Sequence, residues 1–155
     1  MTNIALDSKD TQKTADILHA LLASEIALNL KIRNFHWNVE WIHFNDLHKF
    51  FEDLYNSWSQ YADEVAERIR MLGHHTHASM KKYIELSFID EEENIKMPSD
   101  EMISHLLKDN ENIIRKIREC VEIIWETDDY GTEDFLIALL QKHEKDSWIL
   151  RSLQG

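Results

Sequence analysis

The sequence predicts an all-α protein, in which four long helices form a bundle with one long crossover connection. Three glycines and one proline in 155 residues are too few for the frequent turns of a β-sandwich or β-barrel. Hydrophobic residues make up 43% of the chain and charged residues 30%, which is the balance of a globular protein. At this length we expect a single domain over 1–155, with a flexible N-terminal tail over 1–10.

The first half of the chain predicts two long helices. No glycine or proline occurs between Asp10 and Leu72. A single helix over that segment would be about 95 Å long, which is too long for a small domain, so the chain must fold back once. The stretch 38–42 is the weakest helix former, because β-branched and aromatic residues cluster there. We therefore predict helix A over 11–38 and helix B over 44–72.

The second half predicts a long connection and two further helices. The connection, 73–98, contains a short predicted helix over 79–86. Helix C is predicted over 100–127 and helix D over 132–153, with a turn at 128–132. A long second connection is typical of ferritin-like bundles, whereas up-down-up-down bundles have short loops throughout. The predicted architecture is thus a ferritin-like four-helix bundle with an extra short helix in the B–C crossover.

Charge and cysteine content exclude some classes of function. The formal net charge is −12, which disfavours nucleic-acid binding, because phosphate contacts need clustered Lys and Arg. It suits an acidic surface or cavity that attracts cations. Cys120 is the single cysteine and cannot form an intramolecular disulfide. Since the sequence also shows neither a signal peptide nor a membrane-spanning apolar run, we expect a cytoplasmic protein.

Metal-ligand residue types concentrate on helix B and at the end of helix A. His48 and Glu52 are four residues apart and share one helix face, as do Asp63 and Glu67. His36 lies near the end of helix A. Imidazole and carboxylate ligands without a thiolate suit Fe(II), Zn(II) or Mn(II). Each pair, taken alone, is also compatible with an ordinary solvated or salt-bridged helix face.

The spacing of the two pairs restricts how they could bind metal. His48 and Asp63 are fifteen residues apart, which is about 22 Å of helix rise. Metal–ligand distances are only about 2 Å, so both pairs of one helix cannot hold the same ion. Either the chain has two half-built sites, or another copy completes each one. A two-fold dimer with antiparallel B helices would bring the first pair opposite the second pair of the partner.

Three ordered blocks of the sequence closely resemble the signature of the Dps family, the mini-ferritins named as DNA-binding proteins from starved cells. The blocks are Asn34-Phe35-His36-Trp37-Asn38-Val39, Phe44-x-x-Leu47-His48-x-x-Phe51-Glu52-x-x-Tyr55 and Asp63-Glu64-Val65-Ala66-Glu67-Arg68-Ile69-x-x-Leu72-Gly73. The resemblance continues through Thr132-x-Asp134 and Lys142-His143-Glu144-x-x-x-Trp148-x-Leu150. Two positions depart from it: Glu52 stands where many relatives have Asp, and Trp41 stands where Gly is common.

The resemblance implies a hollow homododecameric cage with ferroxidase centres at its two-fold interfaces. One subunit would supply His36, His48 and Glu52 to each centre, and the partner would supply Asp63 and Glu67. Family members oxidise Fe(II), preferably with hydrogen peroxide, store the ferric mineral and so protect against oxidative damage. The implied division of ligands agrees with the helix-rise argument.

The resemblance also implies roles for an aromatic residue and for an acidic cluster. Trp37 would lie beside the metal centre as a sacrificial electron donor. Asp128, Asp129 and Asp134 would line acidic pores through which iron enters the cage. The same acidic residues also suit the start of a helix next to a capping Thr132, so both interpretations stay open.

Other functions are compatible with parts of the sequence. A DNA-protecting nucleoid protein would need a basic tail, but Lys9 and Lys13 are offset by Asp7 and Asp10, so direct DNA binding should be weak. A ferritin with an intrasubunit di-iron site would need two Glu-x-x-His motifs, and Glu40-x-x-His43 falls in the predicted turn. A bundle without catalysis is a third alternative.

The tract His74-His75-Thr76-His77 could hold a secondary Zn, Cu or Ni ion, or form a solvated loop.

Overall fold

The computed structural model describes residues 3–41 and 43–154, so that the ends of the chain and Ile42 in the predicted turn lie outside the described residues. All elements in the described part are α-helices, which confirms the predicted fold class. In chain order they are α1 (Ser8–Asn38), α2 (Phe44–Met71), α3 (Met80–Leu86), α4 (Ser99–Trp125) and α5 (Tyr130–Leu153). The four long helices form the bundle, and α3 lies in the connection between α2 and α4. None of these helices is long and apolar enough to cross a membrane.

The predicted helix bounds lie within three residues of the observed ones. The largest difference is at the start of α1, which begins at Ser8 rather than at Thr11, so 8–10 of the predicted tail are helical. The flexibility of the rest of the tail stays a prediction. The helix α5 begins two residues earlier than predicted, because the Asp129 carboxylate accepts a hydrogen bond from the backbone N–H of Thr132 and caps the helix.

Helix α1 is the central element of the fold. It packs against α2, α3 and α4, while α4 also packs against α5. Large side chains from α1, α2 and α4 fill the core, among them Phe35, Trp58 and Ile113. The antiparallel pairing of α1 with α2 places the end of α1 beside the start of α2. Three of the residues singled out as metal ligands, His36, His48 and Glu52, lie in this region of the bundle.

The turn between α1 and α2 contains a residue in a strained conformation. Trp41 has a φ of 77° and its side chain is 86% exposed. A left-handed conformation costs an L-residue other than glycine about 1–2 kcal/mol, since its Cβ lies too close to the following carbonyl oxygen. The position at which the family resemblance predicts glycine therefore has the backbone that favours glycine.

Candidate metal centre

Two histidines from neighbouring helices lie face to face at the end of α1. The rings of His36 and His48 are stacked, with centroids 3.8 Å apart and planes at 23°. Nδ1 of each ring lies 2.8 Å from the backbone carbonyl oxygen of the other residue. A carbonyl can only accept, so both Nδ1 atoms donate. In the neutral ring each Nε2 then carries the lone pair, which is the arrangement that metal-ligating histidines have.

A carboxylate lies on the same face of α2, one turn beyond His48. The side chain of Glu52 is 43% exposed, and its Oε2 lies 3.9 Å from Lys49 Nζ. Lys49 makes its closer contact with Asp53 rather than with Glu52. Within the described residues, no group of three His, Cys, Asp or Glu side chains of one chain is arranged to hold a metal ion. We refer to His36, His48 and Glu52 as the candidate half-site, which one chain by itself does not complete.

The second predicted pair lies far from this half-site on the same helix. Asp63 and Glu67 are exposed, and α2 continues without a break from Phe44 to Met71. The uninterrupted helix keeps the two pairs about 22 Å apart along its axis. One chain therefore does not bring the five predicted ligands together, as the spacing argument requires. Whether a partner completes the site stays a prediction.

Two aromatic residues of α2, for which the sequence suggested no role, contact the histidine pair: the Phe44 ring stacks on His48 with centroids 4.9 Å apart, and the other is Tyr55. Its ring meets His36 edge to face, at a centroid distance of 5.2 Å and an angle of 79°. Trp37 is 65% exposed, and among the described residues its ring contacts neither histidine. The position of Tyr55, seven residues after His48 and thus on the same face of α2, was the available signal. That Trp37 lies beside the metal centre stays a prediction.

The predicted pore residues differ in their surroundings. Asp128 and Asp134 are exposed. Asp129 is only 3% exposed, and its carboxylate accepts hydrogen bonds from the Thr132 hydroxyl at 2.6 Å and from Arg68 Nη2 at 2.8 Å. Asp129 thus caps α5 and links it to α2 through Arg68. These contacts favour the interpretation of Asp129 as a helix-start residue. The pore hypothesis then depends on the two exposed aspartates.

The histidine tract after α2 packs against α1. The His75 carbonyl accepts a hydrogen bond from His19 Nε2 at 3.1 Å, and the rings of His19 and His77 have centroids 4.5 Å apart. His74 Nε2 lies 3.1 Å from the Thr11 hydroxyl. Burial, opposed by the bond to His75, lowers the pKa of His19. The tract is therefore partly packed rather than a wholly solvated loop, and its side chains interact with different partners.

A buried polar network, missed in the sequence, occupies the bundle interior. Glu25 and His143 are fully buried, with Oε1 and Nε2 2.8 Å apart. Asn110 Nδ2 donates to the His143 carbonyl at 2.8 Å, so its Oδ1 accepts from His143 Nδ1. By contrast, Glu40 and His43 are exposed at the turn between α1 and α2. They do not face the bundle interior, where an intrasubunit di-iron site would require them.

Comparisons with known proteins agree with this architecture. Residues 15–155 match the ferritin family model, described as a ferritin-like domain. The chain is 33% identical over 141 residues to DNA protection during starvation protein 2 of Bacillus anthracis, covering 91% of this chain and 96% of that protein. The chain belongs to the Dps family of ferritin-like proteins. The resemblance in the three sequence blocks is thereby confirmed.

Further Dps proteins show the same similarity along nearly the whole chain. The DNA protection during starvation protein of Helicobacter pylori is 31% identical over 140 residues, covering 90% of this chain and 97% of the relative. The crystal structure of the Dps protein of Vibrio cholerae O1 superposes with a TM-score of 0.94 at 28% identity, covering 99% of this chain and 97% of that one. That protein is described as a member of a broad superfamily of ferritin-like diiron-carboxylate proteins.

Proposed function

We propose that this Dps-family chain is a mini-ferritin that acts as a ferroxidase. It oxidises Fe(II), preferably with hydrogen peroxide, and stores the ferric mineral in a hollow cytoplasmic cage of twelve subunits, which protects against oxidative damage. The observation that carries this proposal is the reciprocal pairing of His36 and His48, because it leaves both Nε2 atoms for an ion. Membership of the Dps family supports the same role.

The ligand set divides between two subunits. His36, His48 and Glu52 bind Fe(II) from one subunit, while Glu67 of the partner subunit binds from the other side and Asp63 of the partner subunit completes or orients the site. Two Fe(II) ions and one hydrogen peroxide consume two protons and give two Fe(III) ions and two water molecules. Because both electrons reach the peroxide, no hydroxyl radical is released. Trp37 serves as a reserve electron donor where the assembled interface brings it to the site.

The acidic surface of the chain favours delivery of iron. The net charge of −12 attracts cations, and we assign the pore role to Asp128 and Asp134, which are exposed. The same charge opposes direct binding to nucleic acid, so we expect any DNA binding to be weak at physiological salt.

The half-site assignment is tested by removing two of its ligands. The double variant His48→Ala, Glu52→Ala should lose the fast phase of peroxide-driven Fe(II) oxidation, measured by absorbance after anaerobic iron loading, and should keep its helix content. Glu119→Ala is a matched control, because Glu119 is an exposed carboxylate of α4 that pairs with Lys116. Rapid oxidation that persists in the double variant would show that the iron site lies elsewhere.

A further inference from the structure

The His36 ring is confined between two residues of α2. His48 stacks on its face at 3.8 Å, and Tyr55 meets it edge to face at 5.2 Å. His36 itself is 8% exposed, and its Nδ1 is bonded to the His48 carbonyl. Displacement of Tyr55 would open space for His36 to tilt. The orientation of this predicted iron ligand therefore depends on what holds Tyr55.

Two residues of α1, Asn29 and Arg33, contact Tyr55. Asn29 Nδ2 donates to the Tyr55 backbone carbonyl at 2.6 Å, and Asn29 Oδ1 accepts from Arg33 Nε at 3.0 Å. This second bond places Arg33 Cζ 4.0 Å from the centroid of the Tyr55 ring. A guanidinium at that distance attracts the face of an aromatic ring. The Asn29 side chain is thus oriented at both ends, and Arg33 is oriented by it.

We propose that Asn29, Arg33 and Tyr55 form a positioning clamp that fixes the His36 imidazole for iron binding. The inference rests on the proposed function. None of the three residues is a ligand, and each acts through the next one towards His36. Partners of this kind, which orient a ligand ring without touching the metal, commonly change metal affinity by about 10–100-fold when removed.

The clamp makes different predictions for four substitutions. Tyr55→Phe keeps the aromatic ring, so the contacts with Arg33 and His36 remain. Tyr55→Leu removes the ring, and Arg33→Met keeps an unbranched stem but removes the cation and its bond to Asn29. Arg115→Met is the matched control, because Arg115 lies on the exposed surface of α4 and bonds Asn112 there.

The test is an anaerobic titration of the assembled protein with Co(II), in which binding is monitored by the d–d absorption of the bound Co(II). We expect Tyr55→Phe and Arg115→Met to match wild type. Arg33→Met and Tyr55→Leu should bind Co(II) about 10-fold more weakly, with an altered spectrum, and Arg33→Met should keep the particle mass and thermal midpoint of wild type.

Two results would overturn the clamp while leaving the proposed function intact. The first is an Arg33→Met variant with the Co(II) affinity and spectrum of wild type. The second is an equal loss of Co(II) affinity in Tyr55→Phe and Tyr55→Leu, which would show that the contact of the aromatic ring does not position His36. If wild-type protein binds no Co(II) and oxidises no Fe(II), the proposed function fails and the clamp fails with it.

Discussion

Cys120 lies in the bundle core, which has a consequence for a protein proposed to handle peroxide. Burial raises the pKa of its thiol to about 11. Because the thiolate is the reactive form, we expect no reaction of the native protein with a disulfide reagent such as DTNB at pH 8. One thiol per chain should react once guanidinium chloride has unfolded the protein. Rapid stoichiometric labelling of native protein would contradict this.

The strained turn gives a second prediction at the scale of one residue. Trp41→Gly removes the cost of the left-handed backbone, about 1–2 kcal/mol. Glycine also increases the conformational entropy of the unfolded chain, which lowers the free energy of unfolding by about 0.4–1 kcal/mol. The free energy of unfolding in urea, measured at a fixed protein concentration, should therefore rise slightly. Trp41→Ala is the control, because it removes the same exposed side chain and keeps the penalty. A glycine variant no more stable than the alanine variant would show that the backbone strain is absent.

Contacts between elements make the stability of the fold dependent on pH. His19 of α1 donates to the His75 carbonyl in the connection after α2. Burial lowers the pKa of His19, and the neighbouring His77 lowers it further, although the bonded carbonyl and Asp16 oppose this. The unfolded chain then binds a proton more readily than the folded one as pH falls below about 6.5. This contribution to stability is present above that range and is lost towards acid.

The corresponding experiment compares wild type with His19→Gln. Glutamine keeps a side-chain N–H donor for the His75 carbonyl but does not titrate. Between pH 7.5 and 5 we expect the thermal midpoint of wild type to fall more than that of His19→Gln. Parallel profiles of the two proteins would mean that His19 titrates equally in the folded and unfolded states.

At the scale of the helices, the sequence was a sufficient guide because the deciding signals are local. The absence of breakers between Asp10 and Leu72, the length of a single helix and the weak stretch at 38–42 together predicted α1, α2 and the turn between them. The family resemblance added that Trp41 occupies a position of that turn where glycine is common. Residues whose environment depends on distant parts of the chain were less predictable.

Three examples show this dependence on tertiary contacts. The sequence is equally compatible with Asp129 as a pore residue or as the N-cap of α5. Its burial against Arg68, which lies sixty-one residues earlier in the chain, favours the N-cap. Tyr55 contacts His36 only because α1 and α2 pack antiparallel. The Glu25–His143 pair joins residues 118 positions apart, which no local pattern indicates. That one chain does not bring both predicted ligand pairs together was predictable, because helix geometry alone separates His48 and Glu52 from Asp63 and Glu67.

For the whole molecule, the central claim is that each iron site is shared by two subunits. A variant His48→Ala, Glu52→Ala lacks the histidine half, and a variant Asp63→Ala, Glu67→Ala lacks the carboxylate half. Each alone should be inactive. A dimer of one variant with the other has two sites. One site receives the substituted histidine half and the substituted carboxylate half, and the other receives the intact half of each variant.

The measurement that tests this most directly is Fe(II) oxidation by the two variants co-expressed with different tags and purified as mixed particles. With random 1:1 assembly about one quarter of the sites should be intact, and the fast phase should return at about one quarter of the wild-type amplitude. No recovery in particles shown to contain both variants would contradict a shared site.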